Sequence, residues 1–204
     1  WLFKNIDTDL MVMTMPDIET YQVKRSKYPV HYVYVQHSLV SLHMIYRKGA
    51  FDHFDTIFCA GPHHLKEIRA TEDKYQLPPK ILVEHGYGRL DSIIANRKST
   101  KLQPANNPKR ILIAPSWGKH SLVETIGSKV VSHLLENKFH VTLRPHPQTV
   151  KFAKTQLKKI FEQHKNNSNF DLEVNIASQD SLHRSDLMIS DWSGAALDYS
   201  FGLG

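Results

Sequence analysis

Residues Arg110–Pro147 read RILIAPSWGKHSLVETIGSKVVSHLLENKFHVTLRPHP. The stretch opens on a short apolar run, Arg110–Ala114 (RILIA). It passes through a helix-period segment, Leu122–Asn137, and returns to an apolar run at His140–Leu143 (HVTL). Strand, helix and strand at this spacing predict a parallel sheet covered on both faces. The pattern continues downstream. A helix is expected over Thr149–His164, a strand over Phe170–Val174, a short helix near Ser178–Leu182, a strand over Leu187–Ser190 and a helix from Gly194 to Phe201.

Upstream the same alternation is seen. Asp9–Met15, Val30–Gln36, Thr56–Ala60 and Lys80–Glu84 read as strands. Between the last two, Gly61-Pro62 opens a helix that runs to about Tyr75. Proline suits a first helical turn, where its missing N–H costs nothing, and Pro78-Pro79 stops the helix. Asn96–Arg110 is rich in Asn, Lys, Pro and Ser and reads as a connector. The expected organisation is two α/β units, the first over 1–95 and the second over 111–204, joined by a linker over 96–110, both units incomplete.

Composition narrows the function classes. The 204 residues are 41% hydrophobic and 23% charged, with one cysteine, Cys59. That is the make-up of a globular chain, so disorder, collagen and coiled coil are excluded, and an internal disulfide framework is impossible. The formal charge of +6 is uneven: residues 1–95 carry 11 basic and 11 acidic side chains, so the excess falls in 96–204. Five of those cations, Arg97, Lys98, Lys101, Lys109 and Arg110, lie in the connector, with no acid among them. A solvated linker explains them better than a nucleic-acid face, which would also carry aromatics for stacking. No run approaches a membrane span. Trp1 opens the chain with no charged and apolar leader after it, so no signal peptide is expected, and the chain reads as a piece of a longer protein. In Thr149–His164, Val150, Ala153, Leu157, Ile160 and Phe161 form one apolar stripe with lysines mostly off it. This fits a surface helix, or a peripheral contact with an anionic membrane.

Ligands of parallel α/β sheets bind at the carboxyl ends of the strands, and four polar clusters stand there. His37, in Gln36-His37-Ser38, is placed as a general base or as a group that hydrogen-bonds a backbone carbonyl. Arg144-Pro145-His146-Pro147 fixes His146 between prolines and offers the Arg144 fork to a phosphate. Ser190-Asp191-Trp192-Ser193-Gly194, at a helix start, can cradle phosphate with free N–H groups, or simply cap the helix. Ala114-Pro115-Ser116-Trp117 and Gly86–Asp91 complete the set. Ser116 joins the phosphate-binding candidates, and Arg89 and Trp117 are expected to line the cleft. No metal-ligand spacing is present among the 13 histidines, and HExxH is absent, so neither metal nor cofactor is expected.

In this order, the clusters resemble motifs of the CDP-glycerol glycerophosphotransferase family, which builds and primes teichoic-acid-type polymers. The resemblance covers residue 30 to the end. It implies a GT-B-like α/β fold, two Rossmann-like domains facing across a cleft, both truncated here. It also implies a nucleotide-activated donor and a polymer or lipid-linked acceptor, in the cytoplasm or at the inner face of the membrane. The family's two catalytic histidines fall on His37 and His146, and its pyrophosphate site on Arg144, Ser190, Ser193 and Gly194. GYGRLD stands where the family has GYPRND, and SWGKH where it has TWRDD. The competing classes are a UDP-sugar epimerase of the same shape, which needs acidic residues for a ring proton, and a degenerate domain kept as a binding partner in a capsule-assembly complex.

Overall fold

The computed structural model describes residues 2–99, 108–175 and 178–204. In chain order the elements are β1 (Leu10–Met13), β2 (His31–Val35), α1 (Leu42–Ile45), β3 (Thr56–Cys59), α2 (Pro62–Tyr75), β4 (Ile81–Glu84) and α3 (Gly88–Ser99). They continue with β5 (Arg110–Ile113), α4 (Leu122–Thr125), α5 (Gly127–Glu136), β6 (His140–Leu143), α6 (Pro147–Phe152) and α7 (Lys154–His164). The last are β7 (Phe170–Leu172), α8 (Asp180–Arg184), β8 (Leu187–Ile189) and α9 (Gly194–Gly202). The chain divides into two compact units, Trp1–Gly88 and Arg89–Gly204.

Unit 1 holds a four-stranded sheet of order β1-β2-β3-β4, parallel throughout. Register puts Tyr32, Tyr34, Ile57 and Cys59 on one face, because side chains alternate along a strand. That face packs against Ile18, Leu42, Phe54 and Ile68 to make the core. Burying one such side chain contributes about 1.5–3 kcal/mol relative to leaving it in water. Burial also pushes the Cys59 thiol up to about 11, so it is a packing group and not a nucleophile. The opposite face departs from the expected two-sided cover: Leu10, Val12 and Ile81 on it are more than half exposed.

Unit 2 is covered on both faces. Its sheet has the order β7-β6-β5-β8, again parallel. Ile113, Val141, Leu143 and Phe170 meet Val131 and Leu135 of α5 and Leu157 and Ile160 of α7. Leu112 and Ala114 point the other way, onto Ile93 of α3 and Leu182 of α8. The start of the expected connector 96–110 is therefore helix, because Ile93 draws α3 onto this sheet. Residues 100–107, including Lys101, lie outside the described residues.

Two long helices read from the sequence are each broken. Leu122–Asn137 divides at Ile126, where φ and ψ are −119° and 3°. Beside the break, Gly127 sits so close that an added Cβ would lie 3.1 Å from the Leu122 carbonyl oxygen and 3.4 Å from Ile160. Thr149–His164 starts earlier, at Pro147, and divides at the buried Ala153. On its stripe Phe161 is exposed, while Ala153, Leu157 and Ile160 are buried. The short helix α1 was not expected.

Gly202 is the tightest point of the α9–α3 contact. A Cβ there would lie 2.6 Å from Ile93 Cγ2, and Ile93 is fully buried. Alanine improves helix propensity by about 1 kcal/mol, but overpacking a rigid core costs about 1–3 kcal/mol. Gly202→Ala is expected to destabilise unit 2, seen as a lower urea midpoint; an unchanged or raised midpoint would show that Ile93 can move aside.

Candidate active site

The polar clusters stand where the strands end, as parallel topology requires. In unit 1, His37 follows β2 by two residues. The Tyr34 hydroxyl lies 3.0 Å from its Nδ1 and the Tyr46 hydroxyl 3.4 Å from its Nε2. Burial lowers its pKa, against an opposing backbone hydrogen bond at Thr14, so the imidazole is neutral at neutral pH. Tyr34 is fully buried, and burial raises its pKa, which keeps its hydroxyl protonated.

The loop that carries His37 is tied down from three sides. Tyr87 donates its hydroxyl to the His37 carbonyl at 3.1 Å. His63 Nε2 lies 3.1 Å from the Leu39 carbonyl, and His64 Nε2 lies 2.9 Å from that of Val40. Since the Ala60 N–H donates to His64 Nδ1, the proton of this buried ring sits on Nε2. Burial raises the Glu67 pKa, but hydrogen bonds from Ser41 and from the N–H groups of Leu42 and His43 outweigh it and hold the carboxylate ionised. His63, His64 and Glu67 thus position this loop, and sequence reasoning did not single them out; the adjacent His63-His64 pair at a helix start was the available signal.

Gln36 was quoted with His37 but given no role. Its side chain is 5% exposed, and neither its amide oxygen nor its nitrogen has a hydrogen-bond partner among the described residues. A buried amide without a partner costs roughly 1–3 kcal/mol, which marks Gln36 as a functional candidate beside His37.

In unit 2, Ser116, Trp117, His146, Ser190, Asp191 and Ser193 form one group. His146 is the N-cap of α6, and its Nδ1 accepts the Gln148 N–H at 3.1 Å. The neutral ring therefore carries its proton on Nε2, and burial lowers its pKa. Trp117 stacks on it with centroids 6.1 Å apart and planes 25° off parallel.

Asp191 is bonded to backbone on the facing loop. Its carboxylate accepts the Ser116 N–H at 2.5 Å and the Leu122 N–H at 2.9 Å. It braces the loop after β5, and an anion would repel it; it is a positioning residue. Ser190 donates its hydroxyl to the Ala114 carbonyl at 2.6 Å, and Ser193 caps α9 by accepting the Ala195 N–H at 3.2 Å. The capping reading is therefore realised at Ser193 alone, Ser190 tying its loop to the end of β5, while the backbone at Gly194 opens the helix.

Arg144 is 8% exposed and donates to the Ser178 carbonyl at 2.9 Å and the Ser181 hydroxyl at 3.3 Å. Burial lowers its pKa; Glu173 and Asp198 favour its charge and Arg89 opposes it. Arg89, on α3, donates from Nε to Asp198 at 2.7 Å, and the Asp198 carboxylate is buried. Two arginines and two carboxylates thus share one region of unit 2. Asp198 was missed in the sequence, although a lone acid in the apolar run AALDYSFG was a visible signal. Among the described residues no group of three or more His, Cys, Asp or Glu side chains could hold a metal ion, and no helix is long and apolar enough to cross a membrane.

Two parallel four-stranded sheets, with their polar loops at the strand ends, define a GT-B-like α/β protein. Among solved structures, the chain is similar to the wall teichoic acid polymerase TagF, in a variant soaked with CDPG, at 14% identity and a TM-score of 0.52, covering 94% of this chain and 50% of that one. It is also similar to UDP-GlcNAc 2-epimerase of Methanocaldococcus jannaschii in complex with UDP-GlcNAc and UDP, at 13% identity and a TM-score of 0.55, covering 83% of this chain and 50% of that one. The chain spans about half the length of each. No curated protein matches it. Residues 47–202 match the family described as CDP-glycerol:poly(glycerophosphate) glycerophosphotransferase, and the chain belongs to that family.

Proposed function

We propose that the protein containing this chain is a transferase that moves glycerol phosphate from CDP-glycerol to a hydroxyl of a poly(glycerophosphate) or lipid-linked acceptor. His37 takes the proton of the acceptor hydroxyl as that oxygen attacks phosphorus. A new O–P bond forms, the bond to the nucleotide breaks, and CMP leaves with the electron pair. His146 donates from Nε2 to the charge on the transferring group, and Arg144 with the N–H groups at the start of α9 holds the pyrophosphate. Ser116, held by Asp191, presents the loop beside it, and Trp117 and Arg89 line the same site.

The observation that carries this reading is the His146 ring, whose Nδ1 is committed to Gln148 and whose Nε2 is left as the donor. A proton-moving epimerase is less well served, since Asp191 is spent on two backbone N–H groups and Asp198 on Arg89. A cytidine-nucleotide donor supports a cytoplasmic location. Exposed Lys154, Lys158 and Lys159 on α7, with exposed Phe152 before them, support a peripheral contact with anionic lipid.

Calorimetry on the full-length protein tests the reading. CDP-glycerol and CMP are expected to bind, and UDP-GlcNAc at least tenfold more weakly. Preference for UDP-GlcNAc would move the assignment to the epimerase class, and silence with all three would leave a binding domain without nucleotide chemistry.

A further inference from the structure

Unit 1 contains a cavity of about 670 Å³ that the chemistry above does not use. It lies between α1, residues 46–52 and α2, within the 300–1,000 Å³ range of ordinary ligand pockets. Its walls combine apolar surface from Tyr46, Tyr75 and Leu77 with five cations, Arg47, Lys48, Lys66, Lys74 and Lys80.

Two of the three acids that line it, Glu67 and Glu72, are committed elsewhere, and five cations outnumber the third, Asp52. Glu67 accepts the backbone N–H groups of α1. Glu72 is buried and accepts from Arg69 at 2.6 Å and from the Lys80 N–H at 2.8 Å. Arg47 is paired with Asp17 at 2.6 Å, and the Lys80 ammonium donates to the Asp52 carbonyl at 3.3 Å. Lys48, Lys66 and Lys74 have no carboxylate within ion-pair distance among the described residues. Lys48 lies over the Tyr75 ring at 4.1 Å and Lys74 at 5.5 Å. Lys66 and Lys74 are eight residues apart on α2, about 12 Å along its axis at 1.5 Å per residue.

Separated cations with apolar surface between them match a chain in which phosphates alternate with short carbon segments. A single compact anion would be held by converging donors. A nucleotide would call for a free helix N-terminus or a free bidentate arginine, but the N–H groups that open α1 are taken by Glu67 and Arg47 is paired with Asp17. The family to which the chain belongs is described by such a polymer, poly(glycerophosphate). We propose that the cavity is a docking site for the acceptor polymer, with successive phosphates at Lys48, Lys66 and Lys74 and the carbon segments against Tyr75 and Leu77. This rests on the transferase reading for the identity of the polymer, but the site itself is defined by unit 1 alone.

The test uses the full-length protein and the variant Lys48→Gln/Lys66→Gln/Lys74→Gln, whose exposed positions leave the core untouched. Equilibrium binding of a poly(glycerophosphate) fragment is measured by calorimetry, with circular dichroism to confirm folding. The variant is expected to bind at least tenfold more weakly, with a shallower salt dependence, while CDP-glycerol binds both proteins equally. Unchanged polymer binding would overturn the proposal. So would competition by inorganic phosphate at equal phosphate concentration, which would make this a simple anion site. Lysine-dependent polymer binding in a protein that fails to bind CDP-glycerol would uphold the docking site and remove the transferase reading instead.

Discussion

Replacing His37 by alanine in the full-length protein is expected to slow glycerol-phosphate transfer by about 10²–10⁴-fold, the usual contribution of a positioned general base. CDP-glycerol should bind as before, because the donor is assigned to unit 2. The pH profile carries the sharper signature. Burial lowers the His37 pKa, so the neutral, proton-accepting form persists below the ordinary histidine value of about 6.5. Activity in kcat/KM should therefore fall along an acid limb placed below that value, and the limb should vanish in the variant. A limb at or above the ordinary value, or a variant that turns over normally, would take the base role away from His37. Tyr34→Phe adds a finer readout. It removes the hydroxyl 3.0 Å from Nδ1, so it should shift the limb while leaving donor affinity intact.

Asp191→Ala is expected to act on stability as much as on rate. The substitution deletes both acceptor oxygens of the Ser116 and Leu122 N–H groups. Each half-buried donor left without a partner costs about 1–3 kcal/mol, so the pair predicts a loss of about 2–6 kcal/mol from unit 2. Asp191→Asn keeps one acceptor and should fall between. Urea unfolding of the two variants measures this, and a loss under about 1 kcal/mol for the alanine would mean that the loop holds without its brace. A phosphate-binding role would give a different pattern, with donor affinity lowered and stability unchanged.

The fold was legible because parallel strands buried on one or both faces are written as short apolar runs. RILIA, HVTL and TIFCA all became strands within one residue of their expected ends. Helix breaks were not legible: Ile126 and Ala153 sit inside unbroken apolar patterns, and what interrupts them is the close approach of Gly127 to Ile160 and the burial of Ala153 in the packed core. α3 was hidden because its outward face is polar and its anchor, Ile93, has a partner only once the sheet of unit 2 exists.

The same distinction runs through the site. Position was readable only in that residues after parallel strands stand at one edge of their own sheet by topology. Role was not, because it depends on which donor meets which acceptor across tens of residues. Asp191 and Ser193 look alike as polar residues of a helix start, yet one braces a loop 75 residues away and the other caps its own helix. Glu173, Asp198 and Gln36 carry no spacing rule at all; only burial among other charges or against apolar surface singles them out.

The strand order of unit 2 has a consequence in time. β8 pairs with β5, in the middle of the sheet, although β6 and β7 are made before it. The Ser116 loop waits on Asp191 as well, 75 residues further along the chain. On the ribosome, at about 5–20 residues per second, that is a delay of about 4–15 s during which Leu112 and Ile113 are synthesised but lack their final neighbours. The inner strand β5 of the unit 2 sheet is thus exposed to the cell before it is enclosed, and the interval falls when a chaperone would be most useful to it.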